Sequence, residues 1–210
     1  MRVLIALLVW AAAIAAGIGV STVVADSIHS KQGSSGSADV GSITATDSAS
    51  LFRTANFEKA LSTATSQLGS DAQVDSFTLY PGYLSVDAVK GSSDINLYVD
   101  ANGNHSETTS NNLPIGDKLF ALSEVPNDFP ARLAGRITTK AKYPESGLHY
   151  LIVETDPISK KLQWFAYPVQ NATVQNGTVT AAPIEYFQMN APHGRLYEEL
   201  SSRGLQPAEG

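Results

Sequence analysis

Cysteine is absent from the 210 residues of this sequence, and methionine occurs only twice. Without a thiol, the chain can form no disulfide bond, bind no metal ion through a thiolate and use no cysteine nucleophile. Basic residues are also few, because 14 Lys and Arg stand against 20 Asp and Glu and leave a net charge of -6. Nucleic-acid binding depends on cationic side chains that displace phosphate counterions. We therefore expect neither sulfur chemistry nor a nucleic-acid partner.

Charge is missing altogether from residues 3–25, which are mostly apolar. As an α-helix this run would be about 34 Å long, enough to cross a hydrocarbon core of about 30 Å. We predict a transmembrane helix or signal anchor over residues 1–26, because the run is longer than the apolar region of a typical signal peptide. Arg2 would stay on the cytoplasmic side, so the expectation is a single-pass plasma-membrane protein with an extracellular or periplasmic domain. The alternative is a signal peptide cleaved after Ala25, which would release a secreted protein.

Two further segments have compositions that are typical of flexible chain. Residues 27–49 are rich in Ser, Gly, Thr and Asp and contain few large apolar side chains. Such a segment cannot bury enough apolar surface to offset the entropy of ordering it, which predicts a flexible tether. Residues 192–210 form a polar C-terminal tail with one short helical pattern at 196–200.

The chain between tether and tail shows the same order of predicted elements twice. In a first module, residues 50–112, a helical pattern at 51–68 ends at Gly69 and precedes strand patterns at 74–80, 83–89 and 95–99. In residues 113–191, a connector leads to a helical pattern from 126–130 to 143 and to strand patterns at 148–154, 162–169 and 178–184. The predicted fold class is α+β: an N-terminal transmembrane helix, then two similar modules of a helix plus a three-stranded antiparallel sheet, packed as one body.

Basic side chains recur along the second predicted helix. Arg132, Arg136 and Lys140 are spaced by four residues, and Lys142 extends the group. On a helix this spacing produces one basic stripe, which is a candidate surface for an anionic polymer or an acidic partner protein. The alternative is an ordinary solvent-facing helix side.

Aromatic residues concentrate in the strand pattern at 162–169. Trp164 and Tyr167 belong to it, and together with Phe165 and Tyr150 they are candidates for lining a ligand groove. The alternative is that these rings are core and sheet surface without a ligand.

No segment matches a nucleophile elbow, a zinc-binding helix or a phosphate-binding loop. We therefore predict no catalytic residue, no cofactor and no metal site. The most metal-like cluster, Asp100, Asn102, Asn104 and Glu107, departs from the spacing of a calcium loop and is explained by a polar hairpin turn. Alternatives to a non-enzymatic role are a hydrolase or processing factor that uses dispersed carboxylates such as Glu154 and Asp156, and a purely structural spacer.

Four stretches carry a resemblance to a known class of module: NFEKALSTATSQLG, FTLYPGYLSVDAV, INLYVDANGN and LHYLIVETDPISKKLQWFAYPV. Their order of a helix followed by a meander resembles the PepSY-like and beta-lactamase-inhibitor-like modules of membrane-anchored and secreted bacterial envelope proteins. The resemblance implies binding to, or inhibition of, another envelope protein. The function expected from the sequence is a non-catalytic, membrane-anchored, extracytoplasmic binding or regulatory domain that acts on another cell-envelope component.

Overall fold

A computed structural model of the chain describes residues 39–69, 72–110, 119–156, 158–169, 173–175, 178–180, 184–190, 195–200 and 204–208. By its internal contacts the chain divides into two units, Met1–Ser37 and Ala38–Gly210. The first unit lies outside the described residues. The second contains all the helices and strands described below.

One antiparallel sheet dominates the described residues, and two α-helices pack against it. The helices are α1 (Thr54–Leu68) and α2 (Phe129–Arg136), and α2 continues as a π-helix over Ile137–Ala141. The strands of the sheet are β1 (Gln73–Leu79), β2 (Tyr83–Lys90), β3 (Ser93–Asp100), β4 (His105–Ser110), β5 (Phe120–Ala121), β6 (Leu148–Thr155), β7 (Leu162–Pro168), β10 (Ile184–Asn190), β11 (Leu196–Leu200) and β12 (Gly204–Pro207). A separate hairpin consists of β8 (Thr173–Gln175) and β9 (Thr178–Thr180).

Two meanders lie side by side in the large sheet, whose strand order is β12-β11-β10-β7-β6-β1-β2-β3-β4, with β5 paired to the start of β1. The seam between the meanders is the antiparallel pair β1 and β6, in which Phe77 faces Val153 and Leu79 faces Leu151. Because these two strands pair directly, the hydrogen-bonded sheet is continuous across the seam.

The helices cover one face of the sheet, which we call the helix face. Burial alternates along the strands, so that Leu84 and Val86 of β2 are fully buried on this face while Tyr83 and Ser85 point to the opposite, outer face. An aromatic cluster joins helices and sheet: Phe57 of α1 and Phe129 of α2 have ring centroids 5.9 Å apart, and Phe129 lies 5.1 Å from Trp164 of β7. The core therefore spans both meanders.

The predicted fold class is wrong. The strands do not form two separate three-stranded modules behind a transmembrane helix, but one mostly antiparallel sheet that runs through ten strands of the described residues. The physical reason is that each meander would leave the edge strand β1 or β6 unpaired, and pairing these edges satisfies their backbone groups. Local periodicity carries no information about this pairing between distant strands.

Individual elements agree with the patterns to different degrees. Helix α1 and strands β1 to β3 lie where the first module predicted them, and Gly69 ends α1 with its N–H donated to the Thr65 carbonyl at 2.8 Å. The second predicted helix shortens to α2 and its π-helical continuation. The strand pattern at 178–184 splits between β9 and β10, and the short helical pattern at 196–200 is strand β11. The polar strand β4 had no apolar alternation to reveal it.

The C-terminal end of the predicted tether packs against the sheet. Residues 39–49 include a 3-10 turn at Val40–Ser42, and Val40 and Ala45 are buried. Gly82 makes this contact possible, since a Cβ atom there would lie 2.0 Å from the Val40 carbonyl oxygen. Arg53 links this segment to the rest of the domain. Its Nη2 donates to the Ala45 carbonyl at 2.8 Å, and its Nη1 forms an ion pair with Glu145, 3.1 Å from a carboxylate oxygen.

The predicted single-pass membrane location is also corrected. Among the helices that the structure describes, none is long and apolar enough to cross a membrane. The longest of them, α1, has 15 residues, which gives roughly 22 Å against a hydrocarbon core of about 30 Å. The apolar run at 3–25, on which the prediction of a transmembrane helix or signal peptide rested, lies outside the described residues.

Candidate functional site

Tyrosines form a continuous row across the outer face of the sheet. The chain has eight tyrosines, and six of them come one each from six adjacent strands, in the order Tyr98 (β3), Tyr83 (β2), Tyr80 (directly after β1), Tyr150 (β6), Tyr167 (β7) and Tyr186 (β10). We call these six residues the tyrosine row. With neighbouring strands about 4.8 Å apart, the row is roughly 24 Å long. It crosses the seam, and each meander contributes three rings.

Ring contacts are unbroken along the row. Centroid distances between neighbours are 4.9 Å for Tyr98 and Tyr83, 4.5 Å for Tyr83 and Tyr80, 5.2 Å for Tyr80 and Tyr150, 4.6 Å for Tyr150 and Tyr167 and 5.7 Å for Tyr167 and Tyr186. Two of these pairs are stacked, with interplanar angles of 19° for Tyr80 and Tyr83 and 11° for Tyr150 and Tyr167. The inner rings thus face one another. Tyr98 is buried, and the other five rings of the row are half-buried.

Strand register explains why these rings meet. The tight turn Tyr80-Pro81-Gly82-Tyr83 closes the β1–β2 hairpin, and the Tyr80 N–H donates to the Tyr83 carbonyl at 2.8 Å. On the other side of the seam, Tyr150 and Tyr167 are direct cross-strand partners. Directly opposed residues have Cβ atoms about 5 Å apart, which suits stacked aromatic rings. The row therefore follows from a hairpin turn in one meander and a strand register in the other.

Five tyrosines of the row have a raised pKa, and burial is the main cause for each of them. Burial, with the nearby Tyr80 ring adding to it, raises the pKa of Tyr150 to about 12. Burial also raises the pKa of Tyr80, Tyr83, Tyr98 and Tyr167. His149 contacts the rings of Tyr80 and Tyr150 at 5.5 and 5.3 Å, and burial lowers its pKa. Burial thus acts on the tyrosine hydroxyl groups and on the imidazole in the same sense, because it disfavours the charged form of each.

A hydrogen-bonded group of polar side chains, which we call the polar rung, lies beside the row on the same face and consists of Ser76, Ser85, Asp87 and Asn96. Asp87 of β2 is exposed, and its carboxylate accepts hydrogen bonds from Ser76 Oγ at 2.6 Å and from Asn96 Nδ2 at 2.7 Å. Asn96 Nδ2 also donates to Ser85 Oγ at 3.1 Å. These bonds connect β1, β2 and β3 and hold the Asp87 carboxylate in one position. The rung adds fixed hydrogen-bond acceptors to the aromatic row.

The predicted basic stripe lies on the helices, away from the tyrosine row. Arg132 pairs with the Asp128 carboxylate, and its guanidinium lies 5.8 Å from the Trp164 ring centroid. Arg136 is half-buried at the end of α2, and Lys140 is exposed in the wider π-helical turn, where the four-residue spacing no longer keeps side chains in line. Lys142 donates from Nζ to the Thr139 carbonyl at 2.8 Å. The four side chains therefore do not form one continuous stripe, and their role in partner binding stays a prediction.

The two predicted aromatic residues lie on opposite faces of the sheet. Trp164 is fully buried on the helix face, whereas Tyr167 belongs to the tyrosine row. They are three residues apart on one strand, and side chains of a strand alternate between faces. The sequence pattern singled out Tyr167 and its neighbour Tyr150 but missed the other four members of the row. The available signal was that Tyr80 and Tyr83 flank the Pro81-Gly82 turn.

In the part of the chain that the structure describes, no three His, Cys, Asp or Glu side chains lie where they could hold one metal ion. Asp100 is buried and accepts bonds from the backbone N–H groups of Asn102 and Asn104 at 2.8 and 2.9 Å, as a hairpin turn requires. Asp156 likewise organises the β6–β7 turn, where it accepts from Ile158 N at 2.7 Å. Glu154 lies on the outer face beside Gln163.

The resemblance to PepSY-like and beta-lactamase-inhibitor-like modules stays a prediction. A search of protein-family models, curated proteins and solved structures finds no match for this chain.

Proposed function

We propose that this protein is a non-catalytic binding or regulatory domain that recognises another protein through the tyrosine row. The observation that carries the proposal is the row itself: six of eight tyrosines, from six adjacent strands, meet on the sheet face opposite to the two helices that the structure describes. The predicted envelope location of the partner stays a prediction.

Tyrosine is suited to such a surface for a physical reason. Its ring offers a large contact area, its hydroxyl donates and accepts hydrogen bonds, and only two side-chain torsions must be fixed on binding. In the row these torsions are already restrained by stacking, as between Tyr150 and Tyr167. A restrained aromatic surface loses little entropy when it binds, which is why tyrosine is frequent among residues that dominate binding energy.

Ring orientation favours a protein over a flat carbohydrate as the partner. A sugar ring packs against the open face of an aromatic ring. In the row, Tyr80 has Tyr83 against one side and Tyr150 against the other. Ring faces in the row are thus covered by neighbouring rings. The row combines apolar rings with hydroxyl groups, which fits the mixture of apolar groups and backbone amides along a peptide chain.

The test is a binding measurement on the full chain and on two matched tyrosine variants. Proteins retained by the immobilised full chain from an extract of its source organism are purified, and each is then titrated directly by calorimetry. We expect Tyr167→Ala to weaken the affinity about 10-fold or more, because it removes a ring in the middle of the row.

Tyr143→Ala is the matched control. Tyr143 also packs against an aromatic ring, that of Phe187 at 5.3 Å, but Phe187 belongs to the helix face, so Tyr143 lies outside the row. We expect this variant to bind within about 2-fold of the unchanged chain. Equal affinity for the Tyr167→Ala variant and the unchanged chain, or the absence of any purified protein that binds the full chain, would contradict the proposal.

A further inference from the structure

Charge is distributed unevenly on the outer face of the sheet. At the outward-facing strand positions whose side chains the structure describes, all the charged residues are carboxylates: Asp87, Asp94, Asp100 and Glu154. The imidazole of His149 adjoins the row, and burial lowers its pKa. The first meander and its flanks add to this field, since residues 47–125 contain ten acidic and four basic residues.

Two of these carboxylates lie close enough to act on the hydroxyl groups of the row. Burial is the main cause of the raised pKa of Tyr98, and the charge of Asp100 adds to it. For Tyr167, burial comes first, and the charges of Tyr150 and Glu154 add to it. Negative charge thus reaches members of the row in both meanders.

Asp87 offers the most accessible of these carboxylates. It is exposed, and each of its oxygens already accepts one hydrogen bond, from Ser76 or from Asn96. A carboxylate oxygen has two acceptor positions, so further donors can bind without displacing the first. A fixed, solvent-facing carboxylate beside a row of tyrosine hydroxyl groups is complementary to an ammonium or guanidinium group.

Three basic residues lie at the other end of the sheet, while Arg53, two residues after the Leu51 that donates to the Pro81 carbonyl, pairs with Glu145. Lys160 and Lys161 belong to the β6–β7 turn, which is at the opposite end of that hairpin from Tyr150 and Tyr167. Arg195 directly precedes β11, and the register of β10 and β11 puts it at that same end. The strand positions of the outer face therefore carry carboxylates, whereas Lys160, Lys161 and Arg195 belong to a turn or directly precede a strand.

We infer that the partner segment bound by the tyrosine row is basic, an extended stretch of about seven residues that carries several Lys or Arg side chains. This inference rests on the proposed function and specifies the chemistry of its partner. About seven extended residues match the length of the row, and their cations would meet Asp87, Glu154 and the tyrosine hydroxyl groups.

Synthetic peptides provide a defined probe. The full chain is titrated with a blocked peptide of about ten residues in which lysine alternates with serine, long enough to cover the row. A peptide in which glutamate replaces every lysine serves as the comparison. We expect the lysine peptide to shift the backbone amide signals of Thr78, Ser85 and Gln163, which lie on the outer face, and to leave those of α1 unchanged. Raising NaCl from about 50 mM to about 500 mM should weaken its binding about 10-fold, because exposed charges are screened.

Paired charge variants separate specific binding from general attraction to an acidic protein. The double substitution Asp87→Asn with Glu154→Gln removes two carboxylates from the outer face, and we expect it to weaken peptide binding about 10-fold. The control, Glu58→Gln with Glu107→Gln, removes the same charge from exposed positions on α1 and on the helix-face side of β4. We expect the control to weaken binding less than about 2-fold.

Each outcome decides for or against the inference. Equal binding of the glutamate peptide, equal weakening by both double variants, or no binding of the lysine peptide at low salt would overturn it. A purified protein partner whose affinity depends on Tyr167 but is unaffected by salt and by the Asp87 and Glu154 variants would leave the proposed function in place and refute the basic segment. If the lysine peptide does not bind and no purified protein binds in a way that depends on Tyr167, both the basic segment and the proposed function are refuted.

Discussion

Substitutions of Trp164 and Tyr167 separate the two faces of one strand. Both were predicted from sequence as partner-binding residues, yet Trp164 is fully buried on the helix face and Tyr167 is half-buried in the tyrosine row. If the row is a surface for binding and the helix face is the core, then alanine substitutions three residues apart should differ clearly in their effect on the free energy of unfolding.

The expected cost at Trp164 is that of a large core cavity. Its ring lies 5.1 Å from that of Phe129 and is enclosed between sheet and helices. Trp164→Ala removes these contacts in a site that cannot fully collapse, which costs about 3 to 5 kcal/mol. For a domain of this size we expect the melting temperature to fall by about 6 to 20 °C.

The expected cost at Tyr167 is smaller. Partial burial of its ring contributes about 1 kcal/mol, and the stacked contact with Tyr150 at 4.6 Å adds about 0.5 to 1.5 kcal/mol. Tyr167→Ala should therefore cost about 2 kcal/mol. Tyr167→Phe keeps the ring and should cost less than about 1 kcal/mol.

Urea unfolding followed by far-UV circular dichroism measures all three variants without depending on tryptophan fluorescence. We expect the slope of the unfolding transition to be the same for all variants. The urea midpoint should be highest for the unchanged chain and should fall in the order Tyr167→Phe, Tyr167→Ala and Trp164→Ala. If Tyr167→Ala is as destabilising as Trp164→Ala, the row is part of the core, and the reasoning that assigns it to binding is refuted.

Two further predictions test the packing of the N-terminal segment and of the histidine beside the row. Gly82→Ala should destabilise the domain by about 1 to 3 kcal/mol, because the new Cβ atom would lie 2.0 Å from the Val40 carbonyl oxygen. Gly135→Ala in α2, where a Cβ atom would have no neighbour within 4 Å, should instead stabilise it by about 0.5 to 1 kcal/mol; equal effects in thermal melts would contradict the contact with Val40. The pKa of His149 is lower in the folded than in the unfolded chain, so the unfolded state binds more protons and stability should fall as pH drops below about 6.5. His149→Gln should flatten the stability profile over that range, and an unchanged profile would show that His149 is not shielded from water.

Local elements of the first meander were predictable because their signals are local. The apolar face of α1 repeats with helical spacing, Gly69 ends it, and turn dipeptides such as Pro81-Gly82 separate the strands. Strand β4 carried no such signal, since an edge strand of Ser, Thr, His and Glu lacks apolar alternation. The sheet as a whole was not predictable either, because the β1–β6 pairing joins residues as distant as Leu79 and Leu151.

The candidate site was predicted only in fragments for the same reason. Tyr150 and Tyr167 were noted as neighbouring aromatic residues, but the row exists only when six strands adopt one register. Trp164 and Tyr167 were grouped because they share a strand, although alternation puts them on opposite faces. The basic stripe assumed a regular helix beyond Arg136, where the chain continues as a wider π-helix.

The central claim is that the tyrosine row is the surface occupied by a protein partner. Tyrosine rings of the full chain, labelled with ¹³C at the ε positions and assigned through single Tyr→Phe variants, report on each ring separately in NMR spectra. On addition of a purified partner, the account predicts that signals of the row, Tyr150 and Tyr167 first among them, shift or broaden while that of Tyr143 does not. A partner that shifts the Tyr143 signal and leaves the row unchanged would contradict the account.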